Sequence, residues 1–243
     1  MKGVICAGGK GTRLYPLTRA TNKHLLPVYD KPMIYYPIQT LIRAGITDIL
    51  IVVSEPHSGD FINVLRNGEE FGLKKIEYAF QNETVLGISG AISCGENFAD
   101  GENITVILGD NTTDANITND VTNFKTGAKV FLKKVVDPSR FGVPVLDERG
   151  TIIKIEEKPK NPKSSYAVTG LYVYDNTVFN RIKKLKPSSR GELEVTDLNN
   201  SYIKDSLLTW SELPGFWNDA GTFDSLFLSN QYWVTKKQNG HKN

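Results

Sequence analysis

The sequence predicts a single-domain α/β fold, in which a mostly parallel central sheet is accompanied by a smaller accessory sheet. Two observations lead to this prediction. In the first half of the chain, short apolar runs alternate with helix-like segments, which is typical of parallel strands joined by right-handed crossovers. In the second half, strand-like runs become more frequent. No linker interrupts the chain, so residues 1–243 are treated as one domain.

The first half contains the predicted parallel strands, at residues 4–7, 46–53, 76–80 and 104–108. The run at 46–53 is rich in β-branched residues and is typical of a strand covered on both faces. Residues 32–44 show helical periodicity, with Gly45 as a C-terminal cap and Pro37 either in the first turn or bending the helix. Further helical segments are expected around residues 61–65 and 88–94.

The second half is predicted to add strands at residues 129–133, 143–146, 152–156 and 167–174. Residues 147–150, Asp-Glu-Arg-Gly, favour a hairpin turn between two of these strands. Helices are expected at residues 193–203 and 223–234. The polar tail at 236–243 is predicted to be frayed.

Composition narrows the class of protein. Of the 243 residues, 40% are apolar and 23% are charged, which suits a globular domain with a sizeable core. The net charge is only +2, so neither a nucleic-acid nor a membrane partner is expected. Cys6 and Cys94 lack CxxC spacing, which argues against a disulfide framework or a zinc site and favours a reducing cytosol. No apolar run is long enough for a signal peptide or a membrane span, so a cytoplasmic localisation is expected.

The most informative motif, Gly8-Gly9-Lys10-Gly11-Thr12-Arg13, follows the first strand. Glycines at a strand end let backbone N–H groups approach phosphate oxygens, and Arg13 adds a fork of donors that suits phosphate. A P-loop would need a glycine at Val4 and a serine or threonine at Gly11, and a dinucleotide-binding loop would need a glycine at Leu14. The motif therefore predicts a phosphate-binding loop, and the spacing disfavours a dinucleotide-dependent oxidoreductase.

Asp110 follows the predicted strand at 104–108, just as the glycine loop follows the strand at 4–7. Because the carboxyl ends of parallel strands meet at one edge of a sheet, we expect the loop and Asp110 to converge there. Asp110 and Asp219 are candidate ligands for Mg²⁺, which usually takes one or two carboxylates together with phosphate oxygens. Each aspartate could instead cap a turn or a helix.

Nine different short motifs are distributed along almost the whole chain. They are Ala7-Gly8-Gly9-Lys10-Gly11-Thr12-Arg13-Leu14, Lys23-His24-Leu25-Leu26-Pro27, Lys31-Pro32-Met33-Ile34-Tyr35-Tyr36, Leu108-Gly109-Asp110-Asn111, Asp137-Pro138-Ser139-Arg140-Phe141-Gly142-Val143, Glu156-Glu157-Lys158-Pro159, Ala167-Val168-Thr169-Gly170-Leu171-Tyr172, Arg190-Gly191-Glu192-Leu193-Glu194 and Asp219-Ala220-Gly221-Thr222. In order and spacing they resemble the motifs of the sugar-phosphate nucleotidyltransferase family, and more narrowly of its short glucose-1-phosphate thymidylyltransferases. The resemblance implies a three-layer α/β/α, Rossmann-like nucleotide-diphospho-sugar transferase fold, with residues 1–125 as the nucleotide-binding half and 126–235 as the sugar-phosphate-binding half.

The resemblance also implies an activity. Members of this family transfer a nucleotidyl group, here expected from dTTP to α-D-glucose 1-phosphate with Mg²⁺ as cofactor, giving dTDP-glucose and pyrophosphate for deoxysugar or cell-surface polysaccharide biosynthesis. They are commonly homo-oligomers, so a homo-oligomer is expected. Larger relatives carry a C-terminal extension linked to feedback control. Because this sequence ends soon after the last motif, we expect it to lack that regulatory site or to share only part of it.

By resemblance, residues of this sequence take specific roles. The catalytic residues are Arg13, Lys23 and Asp110. The nucleotide-binding residues are Cys6, Ala7, Gly8, Gly9, Gly11, Thr12, Arg13, Gln81 and Gly87. The sugar-phosphate-binding residues are Gly142, Glu157, Lys158, Val168 and Tyr172. The metal ligands are Asp110 and Asp219.

Some positions depart from the family pattern. The stretch 81–87, which would form the base pocket, is one residue longer than usual and lacks its proline, so UTP or another nucleoside triphosphate stays open beside dTTP. Cys6 replaces a usual leucine and is expected only to repack the strand end. His24 is interpreted as a packing or hydrogen-bonded residue. A catalytically idle nucleotide-sugar-binding protein is the alternative from another class, and the presence of Arg13, Lys23 and both aspartates argues against it.

Overall fold

Alternating side chains on the first strand place apolar residues on both faces of a sheet. Strand β1 (Lys2–Cys6) directs Val4 and Cys6 to one face and Ile5 to the other, and all three are buried. Each face needs a layer of helices to cover it. The computed structural model, which describes residues 1–82 and 86–240, accordingly has the predicted three-layer α/β/α architecture.

The predicted strands of the first half form the parallel part of this sheet. They are β1, β4 (Asp48–Val53), β5 (Lys75–Phe80) and β6 (Ile104–Leu108). Their spatial order is β6-β1-β4-β5, and each neighbouring pair is parallel. The carboxyl ends of β1 and β6 are therefore adjacent, which places the glycine loop beside Asp110.

The strands of the second half extend this main sheet. They are β8 (Ala128–Lys134), β9 (Gly142–Leu146), β10 (Ile152–Glu157), β11 (Tyr166–Tyr174) and β12 (Leu208–Glu212). The sequence had assigned them to a smaller accessory sheet. They join the main sheet because β11 is long enough to pair with β6 through Leu171 and with β9 through Val168, while its other edge pairs with β8.

The small separate sheets of the described chain are two antiparallel pairs. One joins β2 (Pro27–Val28) to β3 (Lys31–Pro32), and the other joins β7 (Asn111–Thr113) to β13 (Trp217–Asp219). The second pair matters for the site, because it ties the segment after Asp110 to Asp219.

Helices cover both faces of the main sheet. The face that includes Ile5 packs against α1 (Tyr35–Arg43), α2 (Ser58–Leu65) and α5 (Thr118–Thr122). The opposite face packs against α3 (Ile88–Ser93), α4 (Glu96–Ala99), α6 (Val178–Ile182) and α7 (Val195–Lys204). Helix α8 (Phe223–Gly240) packs beside the β2–β3 pair. Short 3₁₀ turns occur at Thr12–Leu14, Leu17–Arg19, Lys23–Leu25, Glu69–Phe71 and Pro138–Arg140.

Several helix boundaries differ from the sequence prediction, such as that of α7, which spans Val195–Lys204 instead of residues 193–203. Helix α1 begins at Tyr35 with Pro37 in its first turn, because the preceding Lys31–Pro32 pairs as β3. Helix α8 runs to Gly240, so the prediction of a frayed tail is wrong for residues 236–240. Lys236 pairs with Asp114, and Lys237 pairs with Asp30 at 2.7 Å, which anchors the last turns. Residues 241–243 lie outside the described chain.

Within residues 1–82 and 86–240, no helix has the length and apolar character needed to cross a membrane.

Candidate active site

A cleft of about 950 Å³ opens at the carboxyl ends of β1 and β6. Most residues selected from the sequence line it, namely Cys6, Gly8, Gly9, Thr12, Arg13, Lys23, Gln81, Gly87, Asp110, Gly142, Glu157, Lys158, Val168, Tyr172 and Asp219. Ala7 and Gly11 are not part of its wall. The Ala7 N–H donates to the Val52 carbonyl at 2.7 Å, so this amide belongs to the sheet rather than to the cleft.

The glycine loop is held from behind by two hydroxyl groups. The Gly9 N–H donates to Ser54 Oγ at 3.0 Å, and Thr18 Oγ1 donates to the Gly11 carbonyl at 2.9 Å. Arg13 follows in a short 3₁₀ turn and is exposed to the cleft. The loop thus presents a cationic side chain to the cleft from a backbone that is hydrogen-bonded on its far side.

Lys23 and Asp110 form a buried ion pair at the end of β6. Lys23 Nζ lies 2.5 Å from Asp110 Oδ2, and the two side chains are 14% and 9% exposed. Asn111 Nδ2 donates to the other oxygen, Asp110 Oδ1, at 3.1 Å. Burial alone would raise the pKa of Asp110, but the charge on Lys23 and these hydrogen bonds hold it below its ordinary value. Asp110 is therefore a carboxylate in the folded protein.

His24 lies beside this pair as a neutral, buried ring. Its Nδ1 is 2.7 Å from Asn22 Oδ1. Burial, and then the charge on Lys23, lower the pKa of His24 to about 3. This environment agrees with the interpretation of His24 as a hydrogen-bonded packing residue.

Asp219 reaches the same edge through the pairing of β13 with β7, in which it faces Asn111. Burial, and then the charge on Asp110, raise the pKa of Asp219 to about 6. Gly221 lies between the charged groups. A Cβ atom there would meet Asp219 Oδ1 at 2.7 Å, Arg13 Nη2 at 2.9 Å and Asp110 Oδ2 at 3.5 Å. The fold therefore brings Arg13, Asp110 and Asp219 around one glycine.

These two aspartates are a donor set that fits Mg²⁺. The negative charge on Asp110 disfavours ionisation of Asp219. A divalent cation bound between the two carboxylates would offset this repulsion. In the described part of the chain, no group of three or more His, Cys, Asp or Glu side chains could hold a metal ion. A site of two carboxylates leaves the remaining positions to phosphate oxygens and water, which is the usual arrangement for Mg²⁺.

The predicted base pocket is connected to the glycine loop. Gln81 Nε2 donates to the Gly87 carbonyl at 2.9 Å, and a Cβ atom on Gly8 would lie 2.9 Å from Gln81 Oε1. Gly87 has a φ of +90°, and a Cβ atom on it would lie 2.6 Å from the Leu193 carbonyl oxygen. Part of the unusually long stretch at 81–87, residues 83–85, lies outside the described chain.

The predicted sugar-phosphate residues lie on the opposite wall. Glu157 ends β10, where its Oε2 accepts from Thr196 Oγ1 at 2.6 Å. Lys158 Nζ and Arg190 Nη2 each lie 3.4 Å from Glu157 Oε1. Arg190 also donates to both carboxylate oxygens of Glu194, at 3.0 and 2.9 Å. Glu157 is thus an anion shared among a hydroxyl group and two cations.

The rest of this wall is apolar and rigid. Val168 pairs with Gly142 across β11 and β9, and its side chain also packs in the core. Tyr172 is buried beside them and stacks on Tyr174, with ring centroids 5.8 Å apart. Burial raises the pKa of Tyr172 well above its ordinary value, so its hydroxyl group stays protonated. Burial likewise raises the pKa of Cys6, which remains a neutral thiol packed in the core.

Sequence reasoning missed several residues that shape the site. Asn111 was assigned no role from the sequence, yet its Oδ1 accepts from Trp217 Nε1 at 2.7 Å and from the Gly170 N–H at 3.0 Å. Ser54 was missed because a single serine after a strand carries no distinctive pattern. Arg190 and Glu194 belong to one of the sequence motifs but were assigned no role. Their opposite charges, four residues apart, could have suggested an ion pair.

The likeness noted in the sequence extends to characterised families and structures. The Nucleotidyl transferase family model matches residues 2–235. A glucose-1-phosphate thymidylyltransferase of Neisseria meningitidis is 47% identical over 232 residues, which cover 93% of this chain and 80% of that protein. The protein of the same name from Mycolicibacterium smegmatis is 42% identical over 237 residues, covering 96% of this chain and 82% of that protein.

Solved structures of similar proteins have the same fold as this chain. A Bacillus anthracis protein described as a glucose-1-phosphate thymidylyltransferase, crystallised with sucrose, has a TM-score of 0.90 and 51% identity, covering 96% of this chain and 94% of that chain. A UDP-glucose pyrophosphorylase bound to UDP-glucose has a TM-score of 0.83 at 23% identity over 97% of this chain and 98% of that chain, which supports the fold alone. The resemblance and the fold predicted from the sequence are confirmed, and the chain is an enzyme that belongs to the nucleotidyl transferase family.

Proposed function

We propose that this enzyme transfers the nucleotidyl group of dTTP to α-D-glucose 1-phosphate, producing dTDP-glucose and pyrophosphate. The observation that carries the proposal is one cleft whose walls differ in chemistry. One wall has Arg13, Lys23 and two aspartates, and the other has Glu157 beside Lys158. Relatives named for this reaction are 47% and 42% identical to the chain over aligned regions of 232 and 237 residues.

The reaction is a single displacement at phosphorus. A phosphate oxygen of the sugar phosphate attacks the α-phosphorus of dTTP, the bond from that phosphorus to the bridging oxygen breaks, and pyrophosphate leaves with the bond electrons. Negative charge develops on the transferring group, so catalysis requires positioning and charge neutralisation rather than a covalent intermediate. Arg13 and Lys23 supply the positive charge, while Gly8, Gly9 and Thr12 hold the triphosphate.

Asp110 and Asp219 are the proposed Mg²⁺ ligands. When bound, Mg²⁺ neutralises phosphate oxygens as a Lewis acid. Asp110 is already ionised by its pairing with Lys23, so it is ready to bind a cation. Lys23 keeps its contact with Asp110 and has further N–H donors for a phosphate oxygen of the nucleotide.

The sugar-phosphate side binds through polar groups at its rim and apolar groups below. Lys158 is 49% exposed and free to turn toward the phosphate of the incoming sugar. Thr196 donates a short hydrogen bond to Glu157 Oε2. The carboxylate has further lone pairs, with which it accepts hydrogen bonds from sugar hydroxyl groups. Gly142, Val168 and Tyr172 form the surface against which the sugar ring lies.

Gln81 and Gly87 are proposed to recognise the base. The glutamine amide offers a donor and an acceptor that can pair with the edge of a pyrimidine. Uracil lacks only the methyl group of thymine, and one methyl group in a pocket provides about 1–3 kcal/mol of discrimination. The preference for dTTP over UTP therefore depends on the smallest free-energy difference in the proposal.

We extend the proposal to the organisation and the setting of the enzyme. Residues 1–125 would serve as the nucleotide-binding half and 126–235 as the sugar-phosphate-binding half of one domain. A homo-oligomer in the cytoplasm, supplying dTDP-glucose for deoxysugar synthesis, is the setting we propose.

The test is a screen of pyrophosphate release. The purified protein is incubated with Mg²⁺, each of dTTP, UTP, CTP, GTP and ATP, and several hexose 1-phosphates. We expect the highest kcat/KM with dTTP and glucose 1-phosphate. A preference of more than about tenfold for another pair would show that the substrate is wrong, since tenfold corresponds to about 1.4 kcal/mol. Absence of release with every pair would favour the catalytically idle alternative.

A further inference from the structure

Asn199 lies in the wall of the cleft with its side chain almost completely enclosed. It is 1% exposed and lies on α7. Thr196, which donates to Glu157, precedes it by three residues and therefore shares its face of the helix. At a rise of about 1.5 Å per residue, Asn199 is about 4.5 Å further along the helix than Thr196. It is thus a polar group on the same wall as the proposed sugar-binding carboxylate.

One end of the Asn199 amide is fixed by a stack of aromatic rings. Tyr174 donates its hydroxyl hydrogen to Asn199 Oδ1 at 2.6 Å. The Tyr174 ring lies between Tyr172 and Tyr202, with centroids 5.8 and 5.7 Å away. Tyr202 in turn donates to Asp175 Oδ1 at 3.1 Å. Because these rings are buried and stacked, they hold the Asn199 amide in one orientation.

The other end of the amide has no protein partner. Among residues 1–82 and 86–240, none accepts a hydrogen bond from Asn199 Nδ2. Asn199 Nδ2 is not among the completely buried unpaired atoms of the described chain, so it keeps a small exposure at the cleft, where a donor without a protein acceptor gains from pairing with a bound molecule. Because Asn199 borders the cleft, an oxygen of a bound molecule can supply the missing acceptor.

We propose that Asn199 is a specificity-determining residue, whose Nδ2 donates a hydrogen bond to one hydroxyl oxygen of the hexose. This inference rests on the proposed function. A hydroxyl group can accept and donate at once, so a sugar that accepts from Asn199 also has hydrogens to donate to Glu157. Asn199 thereby makes the site demand a hydroxyl group at one position of the ring.

The chemical consequence is rejection of sugars that lack this hydroxyl group. Such an analogue offers no acceptor to the amide nitrogen of Asn199, and sites built around a hydrogen bond discriminate strongly against analogues that cannot make it. A structural role for Asn199 predicts a different result. Loss of the amide would then lower activity with every sugar phosphate by the same factor.

The experiment compares enzyme variants across a set of substrates. Turnover of dTTP with glucose 1-phosphate is measured first on the wild-type enzyme, followed by analogues that each lack one hydroxyl group of the ring. The variants are Asn199→Ala, which removes the donor, and Asn199→Asp, which keeps an acceptor for Tyr174. Asn200→Ala is the matched control, because within the described residues the Asn200 side chain bonds to the Ile155 backbone alone, at 2.9 Å.

We expect the wild-type enzyme to prefer glucose 1-phosphate over one analogue by about tenfold or more, as for loss of a buried hydrogen bond. Both Asn199 variants should reduce that single preference to within about twofold, leave preferences over the other analogues unchanged, and keep the KM for dTTP. Asn200→Ala should keep every preference, even if it lowers the melting temperature.

Two results would overturn the inference. In the first, every preference survives in a folded Asn199 variant. In the second, activity falls by one common factor with all substrates. If the wild-type enzyme turns over only another hexose phosphate, the proposed substrate is wrong. The inference is then tested with the corresponding analogues of that sugar.

Discussion

Two lysine–carboxylate pairs face each other across the cleft, and they differ in how firmly they are held. Lys23 and Asp110 lie 2.5 Å apart, with side chains 14% and 9% exposed. Lys158 and Glu157 lie 3.4 Å apart, with side chains 49% and 31% exposed. The first pair is enclosed at a strand end, whereas the second is open to solvent and shares its carboxylate with Arg190.

The difference shows how one cleft can combine fixed and exchangeable charge. Breaking an enclosed ion pair costs several kcal/mol, because the remaining charge is left without a partner. An exposed pair contributes about 0–1 kcal/mol and is easily exchanged for another ion. The nucleotide wall is therefore organised before substrate arrives, and the sugar wall can give up a contact to bind a phosphate.

The largest effect is expected from Asp110→Asn, which removes charge from the enclosed pair. We expect kcat to fall about 100- to 1,000-fold, the range for loss of a preorganised electrostatic group, because Mg²⁺ and Lys23 both lose their anionic partner. The free energy of unfolding should also fall by about 3 kcal/mol, since Lys23 stays enclosed without its partner. Mg²⁺-dependent pyrophosphate release and thermal unfolding measure the two effects.

Asp114→Asn is the matched control for this variant. The Asp114 side chain is 15% exposed and pairs with Lys236 of α8. It is not part of the cleft wall. It should lower stability while leaving kcat within about twofold of wild type, as expected for a position outside the reacting groups. An equal loss of kcat in both variants would mean that Asp110 acts only through stability.

The second prediction concerns the exposed pair. Lys158→Ala should raise the KM for the sugar 1-phosphate about tenfold, the amount for one charge-assisted hydrogen bond, and leave the KM for dTTP unchanged. Lys23→Ala, in contrast, should act mainly on kcat. Steady-state kinetics with each substrate varied in turn would separate the two effects. If Lys158→Ala lowered kcat as strongly as Lys23→Ala, the distinction between a binding and a catalytic lysine would fail.

The sequence was sufficient for the parallel strands and for the edge where the site lies. The run ending at Leu108 and the run ending at Cys6 are short and mostly apolar, so both the strands and their shared carboxyl edge follow from local pattern. The pairing of β7 with β13 could not be predicted in this way. Each of these strands has only three residues, and the pairing joins Asn111 to Asp219, which is more than a hundred positions later in the sequence. The contact that places the second aspartate is therefore long-range and leaves no local signal.

The same reasoning explains which site residues were missed. Arg13, Lys23 and Asp110 belong to motifs with charged groups next to glycine or to strand ends. Asn111 is fixed instead by Trp217, which lies far along the chain and hydrogen bonds to it at 2.7 Å. Only the folded structure shows that this amide donates to Asp110.

The smallest effect tests whether the two walls are mechanically connected. The backbone of Leu86 is paired with that of Glu192, and the Leu193 N–H donates to the Leu86 carbonyl at 2.9 Å. This pairing joins the base pocket to the segment that carries Arg190. Gly87→Ala would place a methyl group against the Leu193 carbonyl oxygen, since the ideal Cβ lies 2.6 Å from it at a φ of +90°. The backbone must separate to accommodate it.

We expect Gly87→Ala to raise the KM for dTTP about fivefold, which corresponds to about 1 kcal/mol of backbone strain. Because the displaced segment also carries Arg190, the KM for the sugar 1-phosphate should rise as well, by a smaller factor. Gly72→Ala is the control, since its φ is +71° and no atom of residues 1–82 or 86–240 that could clash lies within 4 Å of its Cβ position. It places an alanine at a positive φ in the left-handed helical region, away from the cleft, and should change neither KM. If Gly87→Ala changed only the KM for dTTP, the nucleotide and sugar walls would be independent, and the contrast between them would be one of charge alone.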